Sequence, residues 1–374
     1  RMDPTDYSDG GDEWSFLLQG KRPDENWTGL FKPGERVRLR FINASPMNLY
    51  DVRIPGLPMT VVQADGQNVR PVEVDEFRIG NGETYDVIVQ PKEAKAYTIF
   101  VPTIARIGYA SGTLAPELGM SAPVPAMGPR PVRTMADMGM AGMDMSGGSM
   151  AGMDMGKTPP GASHAGMAMP ATPKPADPHA GMPGMAPKPA DPHAGMAMSA
   201  PATPSPGAPA EMTGMAGMGD MQGMDAAPSK IETDADGLRR LNYAHLRAAT
   251  RNADDRAPEK ELLVRLTGDM TRYFWTMNGQ KFSQAAPFEM GLGQRVRIKF
   301  VNETMMEHPM HLHGVFMELV NGNGIFGARK HTIIVPPAQT VELDATFEDE
   351  GMWAFHCHLF YHAATGMMRL VKVA

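Results

Sequence analysis

Gly34-Glu-Arg-Val-Arg-Leu-Arg-Phe-Ile-Asn43 returns 259 positions later as Gly293-Gln-Arg-Val-Arg-Ile-Lys-Phe-Val-Asn302. Each copy alternates charged and apolar residues behind a glycine, the pattern of a half-buried strand that follows a turn. A second echo sits downstream, where Met59-Thr-Val-Val62 parallels Met317-Glu-Leu-Val320. Two unrelated strands would not share ten positions in order, so the economical reading is a duplicated β-sandwich. Around the first copy, strands are expected at 15–18, 36–43, 59–64, 73–79, 84–89 and 97–101. Around the second they are expected at 262–266, 295–301, 311–319, 331–335, 341–345, 352–356 and 368–373. Val, Ile, Phe and Tyr fill these segments, and Gly, Pro and Asn separate them. Short strands without helical periodicity predict antiparallel sandwiches.

Between the two halves the composition changes. Residues 120–230 are dominated by Gly, Ala, Pro and Met, and 173–186 repeats as 187–200. Such a segment buries too little apolar surface to offset its ordering entropy, so it is expected to be disordered. Of the 34 methionines in the 374 residues, 19 lie between Met135 and Met224. Thioethers are soft donors that select Cu(I), and His164, His179 and His193 add imidazoles in His-Ala-Gly-Met phrases. This linker is therefore expected to bind copper. A flexible chain of that length has an end-to-end distance of about 60 Å, enough to visit much of the last domain.

The net charge is −7 and the isoelectric point about 5.9, with no basic stripe, so nucleic acid is not an expected partner. No run of 18 apolar residues occurs, so no membrane span is expected. A single cysteine cannot form an internal disulfide.

The chemistry is concentrated in two windows: His308-Pro-Met-His311-Leu-His313-Gly314 and His356-Cys357-His358-Leu-Phe-Tyr-His362-Ala-Ala-Thr-Gly-Met367. Side chains alternate faces along a strand, so His356 and His358 point one way and Cys357 the other. His311 and His313 share a face, and His308, three residues earlier, can take the opposite one. Cys357, His308 and His362 can thus converge on one metal, with Met367 as a weak axial neighbour. His311, His313, His356 and His358 can converge behind the strand. Two imidazoles, a thiolate and a distant thioether form the donor set of a blue-copper electron-transfer site. An all-imidazole group suits copper that binds and reduces dioxygen. Cys357, flanked by His356 and His358, gives an electron a short covalent path between the groups. Met305, Met306, Met310 and Met317 are either a cuprous docking site or core packing. His245 and His331 lack partners at ligand spacing and are read as surface or structural histidines.

The two windows resemble the third and fourth copper-binding segments of multicopper oxidases. Nearly the whole chain resembles the periplasmic copper-resistance oxidases (CopA/PcoA type). Supporting stretches are Asn26-Trp-Thr-Gly-Leu-Phe-Lys-Pro-Gly34, Asp51-Val-Arg-Ile-Pro-Gly56, Glu83-Thr-Tyr-Asp-Val87 and Arg329-Lys-His-Thr332. The resemblance implies an all-β fold of two cupredoxin-like, Greek-key β-sandwiches, 1–119 without copper ligands and 231–374 with them, joined by the Met-rich linker at 120–230. Copper is the implied cofactor. His308, Cys357, His362 and Met367 match the type 1 site, His311 the type 2 ligand, and His313, His356 and His358 type 3 ligands. The implied reaction oxidises Cu(I) and reduces dioxygen to water in the periplasm, and a monomer is expected. The family's trinuclear cluster takes four further histidines from a first domain. No histidine precedes His164, and Val52 and Ile54 stand where the offset places His311 and His313. That first domain is accordingly expected to be missing, which would leave the chain inactive alone. The alternatives are a copper-sequestering protein acting through the linker, or a general laccase.

Overall fold

The repeated motif forms a strand in both halves, and the strands around it assemble in the same order. The computed structural model describes residues 14–129, 229–269 and 272–374. Most of the Met-rich stretch, with His164, His179 and His193, lies outside the described residues. So do the expectations of disorder and copper binding placed on it.

The first half contains β1 (Trp27–Leu30), β2 (Val37–Ile42), β3 (Tyr50–Arg53), β4 (Met59–Ala64), β5 (Gln67–Val74), β6 (Glu76–Ile79), β7 (Thr84–Val89), β8 (Tyr97–Pro102) and β9 (Tyr109–Ala115). Past the linker come the short β10 (Ser229–Lys230) and β11 (Arg240–Leu241). The second half contains β12 (Lys260–Asp269), β13 (Phe274–Met277), β14 (Phe288–Met290), β15 (Arg295–Asn302), β16 (His308–Leu312), β17 (Met317–Leu319), β18 (Arg329–Lys330), β19 (Thr332–Val335), β20 (Thr340–Thr346), β21 (Gly351–Cys357) and β22 (Met368–Val373). The short helix α1 (Phe360–Ala364) lies between β21 and β22.

One sheet of the first sandwich runs β1-β9-β8-β3-β6, and its counterpart in the second runs β14-β22-β21-β16-β19. The other sheets run β2-β7-β4-β5-β10 and β13-β12-β15-β20-β17-β18, in which β2-β7-β4-β5 corresponds to β15-β20-β17-β18. The duplication read from one strand therefore extends to the topology. Phe77, Tyr85 and Phe100 fill the first core, and Trp275, Phe300 and Phe355 the second; all six are fully buried. Emptying one such site costs about 3–5 kcal/mol in typical cores.

Four sequence expectations need correction. The sheets are mixed rather than antiparallel, because β1–β9, β12–β15 and β14–β22 pair in parallel. Residues 15–18 form no strand, and only Leu18 bridges, to Lys21. The segment 73–79 is two strands in different sheets, since burial loses its alternation at Asp75, after which Glu76 and Phe77 are both buried. The segment 311–319 is likewise split, because the chain turns at Gly314 and crosses from the β16 sheet to the β17 sheet.

After the linker the chain first dresses the older sandwich. β10 pairs with β5 and β11 with β6, and the Arg239 guanidinium donates to both oxygens of Asp75. All described residues fall in one compact unit. Among them, no helix is long and apolar enough to cross a membrane.

Candidate metal centre

β16 and β21 lie side by side, with Met310 opposite Cys357 and His311 opposite His356. Alternation does the rest. His308, Met310, Leu312, Phe355 and Cys357 turn into the core, where all five are buried, while His311 and His356 turn to the other face.

On the core face, Cys357 Sγ lies 3.7 Å from His308 Nδ1 and 3.7 Å from His362 Nδ1, and the two nitrogens are 3.1 Å apart. All three residues are 0% exposed. Metal–nitrogen and metal–sulfur bonds of about 2.0 and 2.3 Å reproduce these separations at a shared metal, with S–M–N angles near 120° and an N–M–N angle near 100°. The donor set thus fits one ion in the trigonal His2Cys arrangement of blue-copper sites.

A threonine behind His308 fixes its tautomer. Thr304 Oγ1 donates to Asn302 Oδ1 at 2.8 Å, so it accepts from His308 Nε2–H at 2.7 Å. The Nδ1 lone pair of His308 is thereby left for a metal. Burial, and then the neighbouring His362, holds His308 well below the usual histidine pKa, so the ring is neutral at neutral pH. α1 brings His362 back over Cys357. Met367 N donates to the His362 carbonyl at 2.9 Å, and Cys357 N donates to the Met367 carbonyl at 3.0 Å. The fully buried Met367 is therefore strapped beside both ligands. Trp275 stacks on His362, with ring centroids 4.0 Å apart.

On the other face, His311, His313 and His356 place ligand nitrogens within 4.8 Å of one another. His311 Nδ1–H donates to the His331 carbonyl at 2.8 Å, and His356 Nδ1 meets the Cys357 carbonyl at 2.9 Å. Both rings thus present Nε2, and His356 Nε2 stands 3.2 Å from His313 Nε2. Burial is the main reason that His311, His356 and His358 lie below the ordinary histidine range, His311 at about 4. His358 lies beside this trio, its ring 5.5 Å from that of His356 and 5.7 Å from that of His311. An open cleft of about 530 Å³ runs along this face, lined by His311, His313, His331, Glu348 and Asp349.

Of the two roles the sequence left open for His331, surface or structural, the structure favours the second. It is half-buried, its ring is 5.1 Å from that of His311, and its carbonyl orients that histidine. β16–β19 pairing brings it there, which no local spacing reveals. His245 is structural: its Nδ1 accepts from Asn242 N in a short turn. Met306, Met310 and Met317 are buried in the core, which favours packing over docking for these three.

The first sandwich supports the second at both groups. Asp65 Oδ2 accepts from the backbone N–H groups of His331 (3.1 Å) and Thr332 (3.2 Å). Lys330 Nζ, wholly buried, pairs with Asp65 Oδ2 at 3.1 Å and Glu83 Oε1 at 3.0 Å. Burial alone would depress this ammonium, yet the two carboxylates hold its pKa above the ordinary value. Near His362, Tyr361 N donates to Met47 Sδ and Phe360 N to the Pro46 carbonyl. None of these first-sandwich residues carries a ligand motif, so sequence alone did not single them out. Val52 and Ile54, where a copper-bearing domain would place histidines, are core residues.

Comparison with known proteins agrees with this geometry. Two family models, each described as multicopper oxidase, match residues 255–374 and 6–117. Copper resistance protein A of Escherichia coli is 48% identical across all of this chain and 62% of its own length. The protein of that name from Pseudomonas syringae pv. tomato is 51% identical, again over 62% of its length. The chain thus spans about three fifths of the curated relatives it matches. Among solved structures, the multicopper oxidase Fet3p aligns with a TM-score of 0.56 at 14% identity, over 93% of this chain and 57% of that one. The laccase of Botrytis aclada aligns at 0.54 and 16%, over 93% and 53%. At such identities the likeness speaks for the fold, cupredoxin-like sandwiches, and the matched models speak for descent. A thiolate–imidazole trio back to back with an imidazole cluster, on a duplicated sandwich matched by both models, places this chain in the multicopper oxidase family.

Proposed function

We propose that the chain is the larger part of a copper-resistance multicopper oxidase that takes electrons from Cu(I) and passes them to dioxygen, giving water. One observation carries the reading. Cys357 turns its thiol into the buried trio while His356 and His358, bonded to it on either side, face the imidazole cluster. Copper bound at these positions would supply one-electron redox chemistry. In this reading His308, Cys357 and His362 would hold the type 1 ion, with the Met367 thioether as a weak further donor. His311 holds type 2 copper, and His313, His356 and His358 hold type 3 copper. Thr304 and the His331 carbonyl orient their imidazoles, and the buried trio excludes water. The remaining cluster ligands are assigned to a further cupredoxin-like domain seated over the exposed His313. A periplasmic setting belongs to the same proposal, as the resemblance implies.

The test is spectroscopic. Copper-loaded residues 1–374 should show an intense thiolate-to-copper band that Cys357→Ser removes. Oxygen uptake with Cu(I) as donor should stay at the level of a Met-rich peptide control, because half the cluster imidazoles are lacking. A colourless, folded, copper-loaded protein would overturn the site assignment. Efficient four-electron oxygen consumption by this chain alone would overturn the need for another domain.

A further inference from the structure

Cys357, His308, His362 and Met367 expose no surface, so a one-electron donor in solution cannot touch a ligand of this group. Something must stand between. The group in contact is Trp275, itself 1% exposed. Its indole stacks on His362 at 4.0 Å between centroids and 28° between planes, and stands edge-on to His308 at 5.1 Å. Outside it, Tyr273 meets the indole edge-on at 6.3 Å and 90°, and Tyr273 is only half-buried. Three rings in contact therefore lead from the surface to a ligand of the buried trio.

The backbone is shaped around this stack. Tyr273 has a positive φ of 46°, uncommon for a bulky residue, where the chain turns into β13. On the opposite side, Gly366 (φ 134°) lies so close to the Trp275 carbonyl that a Cβ would sit 2.5 Å from it. The loop bearing His362 and Met367 thus rests directly on Trp275. Large aromatic rings do fill cores for packing alone. Packing, however, does not require a flat ring laid on a ligand imidazole with a second ring reaching toward water. Rings placed between donor and acceptor divide one long transfer into shorter distances between conjugated groups.

We propose that Trp275, with Tyr273 outside it, is the relay through which one-electron donors reach the Cys357–His308–His362 site. The inference rests on the copper reading given above and adds the route. Each transfer removes one electron from a donor at the Tyr273 edge, a cuprous ion or a small inorganic reductant, raising its charge by one. The acceptor is the cupric ion held by the trio, which is reduced by one, and no proton moves.

The experiment uses copper-loaded residues 1–374 without oxygen, with ferrocyanide as donor and bleaching of the thiolate band as the readout. Trp275→Leu and Tyr273→Leu should each slow bleaching by at least about tenfold, equivalent to about 1.4 kcal/mol of barrier. In Tyr273→Leu, which leaves the ring on His362 in place, the position of the band and the reduction potential should stay as in the parent, which separates a lost route from a damaged site. In copper-free protein, the emission component lost in Trp275→Phe should be the one quenched by added Cu(II). Bleaching at the parent rate in both leucine variants would overturn the relay while leaving the site assignment intact. Absence of the band in the parent would instead overturn the site. Should Trp275→Leu not fold, Tyr273→Leu decides alone: slow bleaching supports the relay and an unchanged rate ends it.

Discussion

A Cβ on Gly82 would lie 2.6 Å from Cδ2 of His358, so the first sandwich's glycine and the second sandwich's imidazole pack with no space for a side chain. Gly82 also has φ 82°, where only glycine is at ease. The first sandwich therefore helps set the position of a proposed cluster ligand. Gly82→Ala combines backbone strain with a steric clash and should cost about 1–3 kcal/mol, read as a lower urea midpoint. The imidazole resonances of His358 should move while the thiolate band at Cys357 stays. An unmoved His358 would show that its ring does not rest on Gly82.

Lys330 supplies a second link between the sandwiches. It is one ammonium shared by two carboxylates, in a pocket that Tyr85 and Tyr243 also line. Lys330→Met would leave Asp65 and Glu83 buried without their cation, and breaking such a pair costs about 3–5 kcal/mol. Adding Asp65→Asn and Glu83→Gln to Lys330→Met should restore part of the loss, since neutral groups need no counter-charge. Equal destabilisation in the triple variant would assign the effect to packing instead.

Much of the proposed trio was legible because its logic is local. An odd spacing places His308 and His311 on opposite faces of β16, and Cys357 ends β21 between His356 and His358. Helix α1 then closes the five-residue gap to His362. The repeat of Gly34–Asn43 was legible for a similar reason: a period-two pattern survives duplication even where ligands do not. His331, Asp65 and Gly82 were illegible because only strand pairing and sandwich-on-sandwich packing bring them to the site. Trp275 carries no motif at all and is recognised by what it touches. The split at Asp75 is hidden because Glu73–Ile79 alternates charged and apolar residues with one residue out of step, and so reads as one strand until burial is seen.

Met367 is bound through its backbone to both His362 and Cys357, so its place beside the trio does not depend on its sulfur. Met367→Leu keeps the volume and should cost less than about 1.5 kcal/mol in stability. As a proposed weak donor, the thioether gives the oxidised ion more electron density than a leucine side chain can, so its loss should raise the reduction potential and leave the blue colour. A spectroelectrochemical titration checks this. A lower potential, or a vanished band in folded protein, would show that Met367 is not a simple axial ligand.

The same burial that prepares the histidines for metal should make the copper-free protein acid-sensitive. His308, His311, His356 and His358 all lie below the ordinary histidine value of about 6.5, His311 reaching about 4, with desolvation the first cause in each. Between the folded and unfolded values the unfolded chain binds more protons than the folded one, so stability rises with pH across that interval. The full contribution is present above the unfolded value and is lost as pH falls from there toward the folded values. Urea midpoints of copper-free protein should therefore drop between pH 7.5 and pH 5, a window above most carboxylate titrations. His308→Gln and His311→Gln should each flatten the dependence, because glutamine takes up no proton, even where they lower stability at pH 7.5. A midpoint that does not change between these two pH values would mean that the imidazoles are not held neutral by burial. Unaltered slopes in both glutamine variants would place the acid sensitivity at other buried imidazoles, such as His356 and His358.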